Sequence, residues 1–178
     1  MVKNGVFDSM AGMNEAEQRV QEALRELGIE TSVLVYEETT RTSRDAAIAA
    51  GCELGQIAKT LAFQVDGRAV LVIMAGDKQA DTAKLSRFLG VPRKRIKLMA
   101  AEAVLTSTGY EVGGVPAVGH PIRLETLIDE SLFRYQEVWS AAGSPNAIFP
   151  IAPEELMRIS EARTGDFSRS PGGSDEGT

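Results

Sequence analysis

Two parts of the sequence carry residue types that could act on a substrate, and the first is a lysine in an apolar run. Lys59 begins the segment from Lys59 to Val65 and lies next to Gln56 and Thr60. A charged side chain is seldom placed against a core without a partner. The ammonium group of Lys59 therefore either reaches solvent along a strand end or binds an anion, and the residues alone leave both alternatives open.

The second part is a glycine loop over residues 109–121, which holds four glycines and two prolines. Glycine lets backbone N–H groups approach a ligand closely, and neighbouring N–H groups aimed at one point can stabilise an oxyanion. The adjacent pair Gly113 and Gly114 is suited to that task. The alternative is a surface loop shaped by glycine and proline turns.

Other kinds of chemistry lack the residues they need. His120 and Cys52 are the only histidine and cysteine, so a zinc site of the usual type cannot be assembled, and a Cys–His pair would require these two to meet. Gly51 before Cys52 favours a half-buried thiol at a helix end, and His120 suits a packed or solvated loop position. The sequence has no nucleophile elbow, phosphate loop or dinucleotide fingerprint. We expect no metal and no cofactor.

Composition predicts one domain, with 178 residues of which 43% are hydrophobic. A lone cysteine and the lack of an early apolar stretch predict a cytoplasmic protein with no membrane association. The formal charge of -6 argues against general nucleic-acid binding. Any contact with nucleic acid must therefore be local. The basic run at residues 84–97 could form that contact, and the alternative is that it is a solvated charged face.

Apolar periodicity and turn residues predict the elements that position these groups. The expected helices span 14–27, 43–51, 81–90, 101–107 and 153–162, and the expected strands span 33–36, 59–65, 69–75, 96–99, 137–141 and 147–151. Asn14, Ser43 and Asp81 are the expected helix caps, and Asp66-Gly67 predicts a tight hairpin.

Hairpins among helical crossovers predict an α/β single domain with a mixed, largely antiparallel sheet and surrounding helices. The expected organisation is a flexible N-terminus at 1–13, a domain at 14–162 and a disordered tail at 163–178. The tail is rich in Gly, Ser, Asp and Glu, with Phe167 as its one late apolar residue.

Several motifs together resemble the YbaK-like family, the free-standing relatives of the editing domain inserted in bacterial prolyl-tRNA synthetase. In chain order they are GQIAKTLAF from Gly55, Gly76-Asp77 with Asp81 and Lys84-Leu85, GYEVGGVPAVG from Gly109, and Asp129-Glu130-Ser131-Leu132. The resemblance runs from about residue 14 to 162. It implies the fold of the prolyl-tRNA synthetase-associated editing domain.

The resemblance also implies a function: deacylation of mischarged tRNA, commonly tRNA for proline carrying alanine or cysteine. Lys59 matches the family lysine that orients the acceptor end of the tRNA. Gly113 and Gly114 match the loop that supplies backbone groups around the scissile carbonyl. The position after Pro116 is Ala117, where many relatives have proline, and this difference bears on the amino-acid preference.

The remaining expected site residues bind substrate. The resemblance places Gly143-Ser144-Pro145 along the amino-acid pocket and makes Tyr110, in the glycine loop, a further substrate-binding residue. We assign Arg93, Lys94 and Arg95 of the basic run to tRNA binding. The expected chain is a monomer that acts on mischarged aminoacyl-tRNA, with prolyl-tRNA synthetase as a further partner.

The mechanism that we predict is hydrolysis by a positioned water, with backbone donors at the oxyanion and no covalent intermediate. An aminoacyl ester is already activated, so positioning and oxyanion stabilisation can suffice. The alternative function is a non-catalytic module that binds tRNA or an aminoacylated ligand.

Overall fold

The computed structural model describes residues 12–172. Within that range the helices are α1 Glu15–Glu26, α2 Ser43–Ala50, α3 Thr82–Leu89, α4 Ala101–Thr108 and α5 Pro153–Ser160. The strands are β1 Leu34–Val35, β2 Ile57–Val65, β3 Arg68–Ala75, β4 Gln79–Ala80, β5 Ile96–Leu98, β6 Glu125–Asp129, β7 Val138–Ala141, β8 Ala147–Ile151, β9 Arg163–Gly165 and β10 Ser168–Arg169. No helix among the described residues is long and apolar enough to cross a membrane.

The main sheet has the order β1-β8-β7-β2-β3-β6-β9, and β5 pairs with β2 beside it. The pairs β1–β8, β2–β3, β2–β5 and β7–β8 are antiparallel, whereas β2–β7, β3–β6 and β6–β9 are parallel. The strands β4 and β10 form a separate antiparallel pair. The prediction of a mixed, largely antiparallel α/β fold is confirmed.

The β2–β3 hairpin is the centre of the molecule. Asp66 and Gly67 form its turn with φ angles of 49° and 85°, and the strands pair from Val65↔Arg68 to Ala58↔Ala75. This confirms the predicted hairpin. Every residue of the strand segment 70–75 is buried, and the side chains on its two faces belong to two different apolar clusters of the core. Lys59 lies on β2, the partner strand of this hairpin.

Side-chain caps fix where the helices start. Asn14 caps α1 in a capping box with Glu17, and Asp81 caps α3, both as predicted. The cap of α2 is Thr42 and not Ser43, so that prediction is wrong by one residue. Thr42 has the extended backbone that a cap requires and exchanges hydrogen bonds with Asp45, whereas Ser43 is already helical.

The structure corrects both predicted termini. Met13 is buried in the core, so the ordered chain begins before residue 14; residues 1–11 and 173–178 lie outside the described part. The segment 163–169, predicted to be disordered, forms β9 and β10. Phe167 is fully buried and its N–H donates to Asp129 Oδ2 at 2.7 Å. The buried ring of Phe167 and its hydrogen bond to the buried carboxylate of Asp129 attach this segment to the core. The composition of the tail did not predict these contacts.

Candidate active site

A cavity of about 270 Å³ opens beside the first half of β2. Its volume lies near the lower end of small-molecule sites, which span about 300–1,000 Å³. Its walls come from the start of α2, from β2, from the glycine loop and from β7 and β8. The lining residues are Thr40, Arg41, Thr42, Ser43, Ala46, Ile57, Ala58, Lys59, Thr60, Leu61, Val112, Gly113, Val115, Trp139, Ala141 and Ile148.

Lys59 is the half-buried cation of this cavity. Its Nζ donates a hydrogen bond to the backbone carbonyl of Lys78, so its position is set by the turn after β3. Burial lowers the pKa of the Lys59 ammonium below its ordinary value, and the nearby Asp77 carboxylate opposes that shift. An ammonium group that has lost part of its hydration is well suited to bind an anion.

The turn that holds Lys59 depends on a glycine and an ion pair. A Cβ on Gly76 would lie 2.6 Å from the carbonyl oxygen of Leu54, so only glycine fits there. Asp77 then forms a two-point ion pair with Arg134, with N–O distances of 2.9 and 3.2 Å. These contacts fix the path of residues 76–78 and hence the carbonyl that orients Lys59.

Gly113 and Gly114, the adjacent glycines of the loop, have different roles in the structure. Gly113 lines the cavity with a φ of 90°, and no hydrogen bond within residues 12–172 uses its N–H. The N–H of Gly114 instead donates to the carbonyl of Glu111 at 2.9 Å. A Cβ on Gly114 would lie 2.7 Å from the carbonyl carbon of Ser144. Of the two glycines, Gly113 therefore has the N–H available to a ligand, and Gly114 is needed for close backbone packing.

Two buried hydroxyl groups near Lys59 lack hydrogen-bond partners within the described residues. Thr60 Oγ1 belongs to a lining residue of the cavity, and Ser140 Oγ lies on β7 in register with Ala58. Buried hydroxyl groups are normally hydrogen-bonded. Sequence analysis named neither as a site residue, although Thr60 directly follows Lys59.

Trp139 is the one aromatic side chain in the lining of the cavity. It is half-buried, pairs in register with Ile57 across β2 and β7, and packs beside Ile148. It is also the only tryptophan of the chain. Its place in the cavity depends on the parallel β2–β7 pairing, which the local sequence did not predict.

The other expected substrate-binding residues lie in a separate and more open groove of about 630 Å³, beside the N-terminus of α1. Tyr110 is 1% exposed and its hydroxyl donates to the carbonyl of Gly119. Burial raises the pKa of this hydroxyl. Tyr110 is therefore a packing residue, and the structure does not bring it together with Lys59.

The turn Gly143-Ser144-Pro145 connects β7 and β8 as predicted, but it packs on α1. A Cβ on Gly143 would lie 2.7 Å from the carbonyl oxygen of Ala16, and Ser144 Oγ donates to the buried carboxylate of Glu17. The carbonyl of Pro145 accepts a 2.6 Å hydrogen bond from the N–H of Thr40. Because Thr40 lines the Lys59 cavity, this turn supports the cavity wall and does not form it.

Cys52 and His120 are absent from the cavity lining. Cys52 is half-buried in a small apolar cluster, and burial raises the pKa of its thiol. His120 has Nε2 2.8 Å from the carbonyl of Pro116, and burial lowers the pKa of its imidazole. No group of three His, Cys, Asp or Glu residues in the described chain is placed to hold a metal ion.

The basic run lies at the far end of β2. Arg93 donates to Thr82 Oγ1 at 2.8 Å, and Arg95 forms an exposed 2.8 Å ion pair with Asp66 in the hairpin turn. Strand β2 separates Asp66 from Lys59 by about 20 Å, at about 3.3 Å per residue. The structure therefore places Arg95 away from the cavity, and Arg93, Lys94 and Arg95 are all absent from the cavity lining.

Comparison with known proteins identifies the family. Residues 37–159 match the model of the aminoacyl-tRNA editing domain. A crystal structure described as a candidate trans-editing enzyme for prolyl tRNA synthetase superposes with a TM-score of 0.83 and 36% identity, over 89% of this chain and 100% of that chain.

Two relatives span nearly the same length. YwhH of Bacillus subtilis (strain 168), whose name carries no function, is 34% identical over 132 residues, which is 74% of this chain and 82% of the relative. The multifunctional Ser/Thr-tRNA deacylase ProXp-y of Escherichia coli (strain K12) is 28% identical over 166 residues, which is 90% of this chain and 98% of the relative.

The chain belongs to the aminoacyl-tRNA editing domain family. This membership confirms the predicted family and the predicted class of activity, a hydrolase that acts on the ester bond of aminoacyl-tRNA.

Proposed function

We propose that the Lys59 cavity binds the 3′-aminoacyl end of a mischarged tRNA and hydrolyses its ester there. The observation that carries the assignment is that Lys59 and Gly113 line one cavity. The cation suits a backbone phosphate of the acceptor end. The N–H of Gly113 suits the oxygen of the scissile carbonyl.

The proposed reaction uses water as the nucleophile. The water oxygen adds to the ester carbonyl, and the N–H of Gly113 stabilises the oxyanion that forms. The bond to the ribose oxygen then breaks, one proton of the water passes to the ribose oxygen, the other is released to solvent, and the amino acid departs as its carboxylate. The cavity supplies position and a preorganised donor, and neither Cys52 nor His120 lines it.

The proposed substrate carries a small amino acid, with alanine or cysteine on tRNA for proline as the first choice. The small volume of the cavity and its apolar wall of Ala46, Ile57, Val115 and Ile148 favour a short side chain. The hydroxyl of Thr60, which has no hydrogen-bond partner among residues 12–172, offers a hydrogen bond to the substrate. Because one relative is named a Ser/Thr-tRNA deacylase, serine and threonine belong in the same test.

The test is a panel of tRNAs charged with alanine, cysteine, serine or threonine, with correctly charged prolyl-tRNA as the control. Turnover of at least one mischarged tRNA at substoichiometric enzyme is expected, with prolyl-tRNA spared. Saturable binding without release of any amino acid would establish the non-catalytic module instead.

We further propose that the chain acts as a monomer and meets its substrate near prolyl-tRNA synthetase. Size-exclusion chromatography with light scattering tests the first statement. Co-sedimentation with the synthetase, with and without tRNA, tests the second.

A further inference from the structure

We propose that a groove beside the Lys59 cavity binds backbone phosphates of the tRNA acceptor end. This inference rests on the proposed function, because the acceptor end must leave the cavity across a neighbouring surface. The groove has a volume of about 470 Å³ and is lined by four cations: Lys78, Lys84, Arg134 and Arg169. We call it the acceptor groove.

Lys78 connects the acceptor groove to the cavity. Its backbone carbonyl accepts the hydrogen bond of Lys59 Nζ, whereas its side chain lines the groove and donates to Ser170 Oγ at 3.1 Å. Lys78 therefore contacts Lys59 through its backbone and the acceptor groove through its side chain. A nucleotide chain whose last phosphate is held by Lys59 has its preceding phosphates within reach of the groove.

Three carboxylates line the groove as well, and two of them, Asp129 and Asp166, are engaged by the protein itself, whereas Glu130 is exposed. Asp166 pairs with Lys84 at 2.8 Å, and Asp77 pairs with Arg134. Asp129 is fully buried and accepts hydrogen bonds from three donors: the N–H groups of Ser131 and Phe167, and Ser168 Oγ. These contacts hold the shape of the groove. Within the described chain Lys78 forms no ion pair, so its charge is available to a ligand.

Ser131 gives independent support for a ligand. It lines the groove, its side chain is more than nine-tenths buried, and its Oγ has no hydrogen-bond partner among residues 12–172. A buried hydroxyl group without a partner is uncommon because its desolvation is then uncompensated. A phosphate oxygen in the groove supplies the acceptor that this hydroxyl lacks.

The charge of the whole molecule makes a local phosphate site necessary. With a formal charge of -6, the protein repels a polyanion at long range, so binding must come from cations near the reacting end. The cations of the acceptor groove meet that need, whereas Arg95 of the basic run pairs with Asp66 at the other end of β2. The groove also gives a role to β10, since this strand places Arg169 opposite Gln79.

The test removes two groove cations and measures the salt dependence of binding. The variant Lys78→Gln with Arg169→Gln is compared with the natural chain, using a deacylated acceptor-stem hairpin as the probe. The slope of log K against log salt should fall by about 2, or about 1 for each phosphate that the variant no longer neutralises. The matched control is Arg25→Gln with Arg123→Gln, which removes the same charge from exposed pairs with Glu22 and Glu161.

Two further readouts separate this inference from the proposed function. The double groove variant should lose much more kcat/KM on a charged hairpin than on 3′-aminoacyl-adenosine 5′-monophosphate, which carries one phosphate for Lys59 and none for the groove. Ser131→Ala should weaken hairpin binding without lowering Tm, because no internal hydrogen bond is removed.

An unchanged salt slope, or an equal change in the control pair, would overturn the groove assignment. Failure of the natural chain to hydrolyse 3′-aminoacyl-adenosine 5′-monophosphate would count against the cavity instead.

Discussion

Lys59 and Lys78, nineteen residues apart, are joined by a hydrogen bond from the Lys59 ammonium to the Lys78 carbonyl. The bond ties the cation on β2 to the turn that follows β3. Because Gly76 and the Asp77–Arg134 pair fix this turn, Lys59 is held in place before a substrate arrives. Preorganisation of this kind spares the cost of ordering a long side chain at the moment of binding.

The two glycines of the loop should respond differently to alanine. Gly113→Ala places a Cβ 2.7 Å from Arg41 Cγ, at a φ of 90°. Its backbone donor should then be displaced, and the turnover number should fall by about a hundred- to a thousandfold. Gly114→Ala instead meets the backbone of Ser144, so a lower Tm is its main expected effect.

Single-turnover deacylation and thermal unfolding separate these two outcomes. The variant Arg41→Ala in the Gly113→Ala background serves as a control, because it removes the side chain that the new Cβ meets. If that pair recovered full turnover, the loss would come from the clash with Arg41 and not from the backbone donor. Normal turnover by Gly113→Ala alone would remove Gly113 from the mechanism.

Phe167→Ala should destabilise the fold strongly. The ring is fully buried and meets Phe88 edge-on with centroids 4.8 Å apart. Truncation of a buried Phe costs about 3–5 kcal/mol. Chemical denaturation measures this loss, and Phe88→Ala is the partly exposed comparison. A change below about 1 kcal/mol would mean that the C-terminal segment does not pack as described.

His120 should make stability depend on pH below neutrality. Burial lowers the pKa of the folded imidazole, while the unfolded side chain titrates near about 6.5. Its contribution to the free energy of unfolding is therefore present above about pH 6.5 and is lost as the pH falls towards the folded pKa.

Denaturation curves from pH 7.5 to 5.5 check this prediction. The natural chain should lose stability at up to about 1.4 kcal/mol per pH unit more than His120→Gln does. Parallel curves for the two proteins would show that burial does not perturb His120. Deacylation by His120→Gln at pH 7.5 should stay near normal, because His120 does not line the cavity.

The basic run should contribute to binding of whole tRNA only. Arg95 pairs with Asp66, about 20 Å from Lys59 along β2, whereas Arg93 contacts Thr82 at the start of α3. Neutralising Lys94 and Arg95 should weaken binding of full-length tRNA and flatten its salt dependence, while binding of a short single-stranded fragment of the 3′ end stays unchanged. Weaker binding of that fragment would place the run closer to the cavity than the structure does.

Local signals in the sequence predicted the elements that depend on local chemistry. The Asp66-Gly67 turn and the caps Asn14 and Asp81 are set by neighbouring residues, so they could be identified without the fold. Strand β6 was missed, and the buried carboxylate at its end is satisfied from far along the chain: Asp129 accepts hydrogen bonds from Phe167 and Ser168. The same non-local contacts order the tail that composition predicted to be disordered.

Some residues of the candidate site could likewise be named from the sequence, whereas others depend on non-local contacts. Lys59 and Gly113, two of the residues that the family resemblance names, line one cavity. Trp139 and Ser140 reach the neighbourhood of that cavity only through the parallel β2–β7 pairing, which no local pattern encodes. The turn at Gly143 was recognised as a turn, but its packing on α1 could not be read from its own residues.

The most direct test of the central claim is deacylation by Lys59→Met under single-turnover conditions with mischarged tRNA. This variant keeps an apolar stem in β2 but removes the charge and the hydrogen bond to Lys78. We predict that hydrolysis falls to the uncatalysed rate while Tm stays close to that of the natural chain, and that Cys52→Ser retains most of its activity. Normal hydrolysis by a folded Lys59→Met protein would contradict the assignment of this cavity as the active site.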